Sequence, residues 1–223
     1  MFTNSEKKFG VIFIVLVLLE LICVSFPSLK SYHFFTKPSI LIALIFFYFK
    51  ESKTENTIVR GLVLSALILS LLGDVLLMFV TLSSNFFILG LVAFLLAHIF
   101  YVLVFLRDKK PVKKAILLLV FLLLYGGFVF KLIKDGVGAL LIPVIVYMGV
   151  ILLMVFSAFL RRKNVTKLSY TLVLIGAVFF VVSDSFLALN KFYTPLPLSG
   201  IAIMFTYATA QFLIVFGLKN KTR

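Results

Sequence analysis

The stretch that decides the fold is residues 57–80, TIVRGLVLSALILSLLGDVLLMFV. A helix needs about 20 mostly apolar residues to cross the hydrocarbon core of a bilayer, and this run is long enough. Only Arg60, near its start, and Asp74, near its end, carry a charge. The run therefore predicts a membrane-spanning helix, and it raises the question of why an aspartate is tolerated inside it.

The same reading applied to the whole chain predicts an all-α, polytopic membrane helix bundle of about eight transmembrane helices. The other spans are residues 9–26, 37–49, 86–106, 112–131, 138–160, 168–189 and 199–218. The run 37–49 is the shortest, and it either begins earlier, near Tyr32, or is tilted; seven spans is the alternative count. Short loops join the runs, so we expect residues 1–223 to form a single integral membrane domain.

Composition supports a membrane protein and argues against two other classes. Hydrophobic residues make up 63% of the chain and charged residues 13%, whereas soluble domains are about 45–50% apolar and about 25% charged. The net charge of +14 does not predict nucleic-acid binding, because the basic residues form short clusters between apolar runs and face lipid headgroups there. Two histidines and the single Cys23 predict no metal site.

The distribution of lysine and arginine predicts the orientation, since cytoplasmic loops are enriched in these residues. With eight spans, 17 of the 22 basic residues fall on the side that holds both termini, so we expect both termini in the cytoplasm. These are Lys7, Lys8, Lys50, Lys53, Arg60, Arg107, Lys109, Lys110, Lys113, Lys114, Arg161, Arg162, Lys163, Lys167, Lys219, Lys221 and Arg223. The opposite side holds Lys30, Lys37, Lys131, Lys134 and Lys191.

A spacing shared by the two halves indicates an internal repeat. Asp74 and Gly90 are 16 residues apart, and so are Asp184 and Gly200. An offset of 110 residues thus superposes the third and fourth spans on the seventh and eighth. We interpret this as a parallel four-plus-four duplication.

Three acidic residues, Glu20, Asp74 and Asp184, lie inside the spans, whereas we place most other charges in loops. A carboxylate at the bilayer centre costs roughly 2.5–3.5 kcal/mol on insertion scales, so it normally faces a protein interior or a wet cavity. Each acid alone has the alternative of packing helices together through a hydrogen bond. Their depths predict one shared pocket, which also includes the other mid-span polar residues: His98, Tyr101, Ser183, Asn190, Tyr207 and Gln211.

Several of these residues stand in motifs that resemble the YhhN family, whose animal members are lysoplasmalogenases. The motifs are TKPS at 36–39, LSLLGDVLLM at 69–78, LGLVAFLLAHIFYVLVF at 89–105, FFVVSDSFLALNKF at 179–192 and YATAQFLIVFG at 207–217. The resemblance runs from about residue 36 to 217. It implies hydrolysis of the vinyl ether bond of a lysoplasmalogen to a fatty aldehyde and a glycerophospho-ethanolamine or -choline.

The implied chemistry suits the candidate residues. Vinyl ether hydrolysis needs an acid to protonate carbon and a negative group beside the resulting oxocarbenium ion, and two carboxylates can divide these roles. We predict that Asp74 and Asp184 are this pair, without assigning which is the acid, and that His98 orients water or acts as a base. The candidate substrate-binding residues are Lys37 (for the phosphate), Tyr101, Ser183, Asn190, Tyr207, Gln211 and Glu20. No metal or organic cofactor is required.

Two other function classes remain open at this point. Buried acids and a histidine also suit a proton-coupled transporter of small molecules or lipids, and repeated halves are common in transporters. A lipid-binding membrane protein without turnover is the third possibility. In each case we expect a multi-pass protein of a bacterial inner membrane whose partners are lipids, and the sequence leaves the oligomeric state open.

Overall fold

The computed structural model describes residues 3–221, and eight α-helices in this part of the chain are long and apolar enough to cross a membrane. The protein is therefore an integral, multi-pass, all-α membrane protein, which confirms the eight-span prediction over the alternative of seven. The helices are α1 Asn4–Ser25, α2 His33–Glu51, α3 Thr57–Met78, α4 Ser84–Arg107, α5 Ala115–Ile133, α6 Leu141–Leu160, α7 Lys167–Phe192 and α8 Ser199–Lys219. Arg223, counted above for the orientation, lies outside the described residues, and the orientation stays a prediction.

The weakest predicted span is a full helix that begins earlier than residue 37. A 3₁₀ turn over Pro27–Tyr32 leads directly into α2, which starts at His33. This confirms the alternative in which the span begins earlier, near Tyr32. The apolar run itself starts later because the first turn carries the polar His33 and Thr36. Their polar atoms bond within the protein, so this turn stays helical despite its composition.

Side-chain caps set the first residues of three helices. Thr3 and Glu6 form a reciprocal capping box, in which each side chain accepts a hydrogen bond from the other residue's backbone N–H. This cap starts α1 at Asn4, ahead of the predicted start at residue 9. Asn56 caps α3 and Thr166 caps α7 without the reciprocal bond: each side-chain oxygen accepts hydrogen bonds from backbone N–H groups of the first turn. These N–H groups have no partner inside the helix.

The chain divides into two compact units, Met1–Ala97 and His98–Arg223, and each is described here by itself. The division falls within α4, and the predictions of a single domain and of a four-plus-four repeat stay predictions. In the first unit, a Cβ on Gly73 would lie 2.6 Å from the Phe94 ring, so glycine lets α3 and α4 approach closely. In the second, Cβ atoms on Gly176 and Gly217 would lie 2.9 Å from backbone atoms of α8 and α7 respectively. Small residues at helix contacts are typical of membrane bundles.

Large apolar side chains cover the outer faces of the helices. On α5, Leu117, Phe121, Leu124 and Phe128 are each more than half exposed, at 68%, 63%, 69% and 63%. An apolar surface of this kind is unfavourable in water and suits contact with lipid tails. Several polar side chains of the spans, among them Asp74, His98 and Gln211, are instead buried within their own units.

Candidate active site

In the first unit, a buried ion pair joins α2 to α3. The Nζ atom of Lys37 lies 3.3 Å from Oδ1 of Asp74, and the two residues are only 8% and 2% exposed. A lone charge at this depth is costly, and an opposite charge within contact distance offsets much of that cost. The pair explains how both residues are tolerated inside apolar helices.

Glu20 of α1 takes part in a second polar cluster of the same unit. It is fully buried, and its two carboxylate oxygens accept a hydrogen bond from the Thr36 hydroxyl and contact Nδ1 of His33, at 2.5 and 2.7 Å. Thr36 precedes Lys37, and neighbouring residues point about 100° apart around a helix. Thus α2 reaches Glu20 on one side and Asp74 on the other.

This cluster contains two residues that the sequence did not single out as site candidates, His33 and Thr36. Their three-residue spacing could have identified them, because positions 33 and 36 lie on one face of a helix. The structure does not show substrate contact by Glu20, so its substrate-binding role stays a prediction.

In the second unit, Asp184 of α7 accepts a hydrogen bond from the hydroxyl of Tyr147 in α6, at 2.5 Å. Tyr147 is buried. The adjacent residue, Ser185, contacts the Tyr125 hydroxyl of α5 at 2.7 Å. Ser185 donates its own proton to the carbonyl of Val181, so Tyr125 is the donor in that contact. Two tyrosines from neighbouring helices therefore hold consecutive residues of α7.

His98 of α4 is enclosed by aromatic rings of the same unit. Its imidazole meets the Tyr147 ring with a centroid distance of 5.5 Å and the Phe180 ring at 4.9 Å, both edge to face. His98 is 0% exposed, and neither ring nitrogen has a hydrogen-bond partner among residues 3–221. Buried polar groups are nearly always hydrogen-bonded, so the imidazole is suited to meet a polar group of a ligand.

Three of the candidate residues form a buried hydrogen-bonded chain. The Tyr101 hydroxyl donates to Oε1 of Gln211 at 2.7 Å, and Nε2 of Gln211 donates to the Tyr207 hydroxyl at 3.5 Å. The Phe180 ring contacts both tyrosine rings, with centroid distances of 6.4 and 5.5 Å. Phe180 therefore packs against both tyrosines of this hydrogen-bonded network and also against His98.

Ser183 and Asn190 have structural partners. The Ser183 hydroxyl donates to the backbone carbonyl of Ile203 in α8. The Asn190 side-chain oxygen accepts a hydrogen bond from the backbone N–H of Leu196 in the turn before α8. These bonds fix the α7–α8 connection, and a substrate contact by either residue stays a prediction.

Within each unit the structure thus brings together part of the predicted set. Lys37 lies with Asp74 in the first, and Tyr147 links Asp184 to His98 in the second. That Asp74 and Asp184 share one cavity stays a prediction. Among the described residues, no group of three or more His, Cys, Asp or Glu side chains is placed to hold a metal ion.

Two comparisons with known proteins, one with family models and one with individual relatives, agree with each other. The model of the YhhN family matches residues 32–218. The chain is 30% identical to human lysoplasmalogenase TMEM86B over 67% of this chain and 59% of that relative. It is 31% identical to human lysoplasmalogenase TMEM86A, over 66% and 61%, and 33% identical to the mouse TMEM86B protein, over 67% and 60%. The match therefore spans about 60% of the length of these relatives. No solved structure matches the chain.

Proposed function

Because the chain belongs to the YhhN family, we propose that it is a membrane-embedded hydrolase of the vinyl ether bond in lysoplasmalogen-type lysophospholipids. The products are a fatty aldehyde and a glycerophospho head group. The observation that carries the proposal is the similarity to relatives named lysoplasmalogenases, in a chain that holds carboxylates inside its apolar spans.

The reaction proceeds by acid catalysis. An acid donates a proton to the β-carbon of the vinyl ether, and the α-carbon becomes an oxocarbenium ion. Water adds to that carbon and loses a proton, which gives a hemiacetal. The hemiacetal then releases the glycerol oxygen as an alcohol and leaves the aldehyde. One water is consumed and the catalytic proton is returned.

We assign the two carboxylate roles to Asp74 and Asp184, one as the acid and the other as the negative group beside the oxocarbenium ion. The proposal requires that both face the same substrate. Their local surroundings suit these roles, because each carboxylate is oriented by a defined partner: the Lys37 ammonium for Asp74 and the Tyr147 hydroxyl for Asp184. Fixed geometry of this kind contributes to catalysis by removing the need to reorganise during the reaction.

Lys37 and His98 have supporting roles in the proposal. An ammonium carries three N–H donors, so the pairing of Lys37 with Asp74 is compatible with a second contact to a substrate phosphate. The unpartnered nitrogens of His98 are suited to hold the attacking water. The hydrogen-bonded side chains of Tyr101, Gln211 and Tyr207 supply further polar groups in the same unit as His98.

The test is aldehyde release by the purified full-length protein in micelles. Lysoplasmalogen is compared with two lysolipids of the same head group, one with a saturated alkyl ether and one with an ester. Only the vinyl ether yields an oxocarbenium ion on protonation, so we expect aldehyde from that lipid alone. The transporter and lipid-binding alternatives predict no aldehyde from any of the three.

A further inference from the structure

Tyr147 touches two of the candidate catalytic residues through different parts of its side chain. Its hydroxyl donates to Oδ2 of Asp184, while the edge-to-face contact with His98 involves its ring. Tyr147 itself was not apparent in the sequence, where it stands in the apolar run LIPVIVYMGV of α6 and has the pattern of an ordinary core aromatic.

The hydroxyl contact fixes a degree of freedom that aspartate otherwise has. The terminal torsion of an aspartate side chain is broad rather than confined to narrow wells. A hydrogen bond from Tyr147, which α6 holds in a buried position, selects one rotation of the Asp184 carboxylate. The packing of α6 against α7 therefore contributes to the orientation of this carboxylate.

The ring contact fixes the second residue. Tyr147 and Phe180 meet His98 edge to face, with interplanar angles of 72° and 89°. The imidazole nitrogens have no partner among residues 3–221 that would orient the ring. Its orientation is therefore set by these aromatic contacts.

We propose that Tyr147 is a positioning residue for the hydrolysis: it sets the carboxylate of Asp184 and the imidazole of His98 in a fixed relation. This rests on the proposed function. Tyr147 acts through the two residues that it holds and not through the substrate.

Tyr147→Phe separates the two contacts, because phenylalanine keeps the ring beside His98 and loses only the hydroxyl. The matched control is Tyr125→Phe, which removes a tyrosine hydroxyl bonded to the next residue of α7, Ser185. Misplacement of a catalytic group by about 1 Å can cost about 100-fold in rate. We therefore expect Tyr147→Phe to lower kcat by about 10- to 100-fold with KM changed less than about threefold, and Tyr125→Phe to leave both within about twofold.

A second variant, Tyr147→Leu, removes the ring wall of His98 as well. We expect a larger fall in kcat than for Tyr147→Phe, again with little change in KM. A purely structural role would lower the amount of folded protein without changing kcat per folded molecule.

The proposal is overturned if Tyr147→Phe has the same kcat as Tyr125→Phe in an active wild-type background. It is also overturned if the loss appears in KM instead, since that would make Tyr147 a substrate-binding residue. A wild-type protein that releases no aldehyde overturns the proposed function and this inference together, and the wild-type result alone identifies that case.

Discussion

Lys37 and Asp74 form an ion pair inside the protein, with Nζ and Oδ1 3.3 Å apart. Because of this pair, a substitution of Asp74 that tests its catalytic role also affects the stability of the contact between α2 and α3. Removing one member of a buried pair leaves the other charge uncompensated, which typically costs about 3–5 kcal/mol, whereas replacing both by apolar or neutral groups is often nearly neutral.

We therefore expect Asp74→Asn and Lys37→Met, each alone, to destabilise the protein by about 3–5 kcal/mol. The double variant Asp74→Asn/Lys37→Met should regain most of that stability. The measurement is equilibrium unfolding by SDS titration in mixed micelles. If the double variant is as unstable as the sum of the single ones, the ion pair is not what couples these two residues.

Glu20 is predicted to hold the first turn of α2 in place. Glutamine keeps an acceptor for the Thr36 hydroxyl, so Glu20→Gln should stay within about 1 kcal/mol of wild type. Glu20→Leu loses the contacts to both His33 and Thr36 and should cost about 1.5–3 kcal/mol, the usual range for hydrogen bonds to a charged group. Unfolding in micelles measures both. A Glu20→Gln protein that loses as much stability as Glu20→Leu would contradict this role. A folded Glu20→Gln protein without hydrolase activity would support the separate prediction that Glu20 contacts substrate.

A buried charge cluster at the end of α4 predicts a second stability effect. Asp108 contacts Nε of Arg161 at 3.4 Å and Nζ of Lys221 at 2.5 Å, and Arg161 is 0% exposed. Asp108→Asn removes the negative charge that pairs with the buried guanidinium and should cost about 3–5 kcal/mol, with kcat per folded molecule unchanged. The control is Asp135→Asn, because Asp135 pairs with Lys134 at the surface, where its side chain is 89% exposed. Such pairs contribute at most about 1 kcal/mol, so equal losses in the two variants would refute the burial argument.

The orientation is testable by cysteine labelling in intact cells. The loop before α5 carries Lys109, Lys110, Lys113 and Lys114, which predicts a cytoplasmic position. In a Cys23→Ala background, Lys113→Cys should resist a membrane-impermeant maleimide and Asp135→Cys should react. Both positions are exposed on the protein surface, so the reverse pattern of labelling would place the termini outside the cytoplasm.

The helices could be predicted from the sequence because lipid imposes a minimum length of apolar run, and that constraint is local. The exceptions were the polar first turns of α1 and α2. In α2, His33 and Thr36 interrupt the apolar run, and their partner, Glu20, lies on another helix. Contacts between helices supply such partners, and a local sequence pattern does not predict which helices come into contact.

The same limit explains what the sequence missed in the candidate site. Asp74, Asp184 and His98 stood out because ionisable residues are rare in apolar spans. Tyr147 did not, since an aromatic residue in a span is ordinary. Arg161 was counted as a loop charge, yet it is buried against Asp108 and Ser169; its position at the end of α6 suggested the surface, and only the packing of α6 and α7 shows otherwise.

The most direct test of the proposed function is turnover of lysoplasmalogen by wild type, Asp184→Asn and Asp74→Asn/Lys37→Met. Asparagine at 184 still accepts the Tyr147 hydrogen bond, and the double variant removes the unpaired ammonium, so both proteins should fold. The account predicts aldehyde and glycerophospho head group in equal amounts from wild type, and at least about a 100-fold loss of kcat in each variant, as is typical when an acid–base group is removed. Loss of the proposed Lys37–phosphate contact in the double variant should appear in KM instead. Wild type without aldehyde release, or both folded variants with more than about a tenth of wild-type turnover, would contradict it.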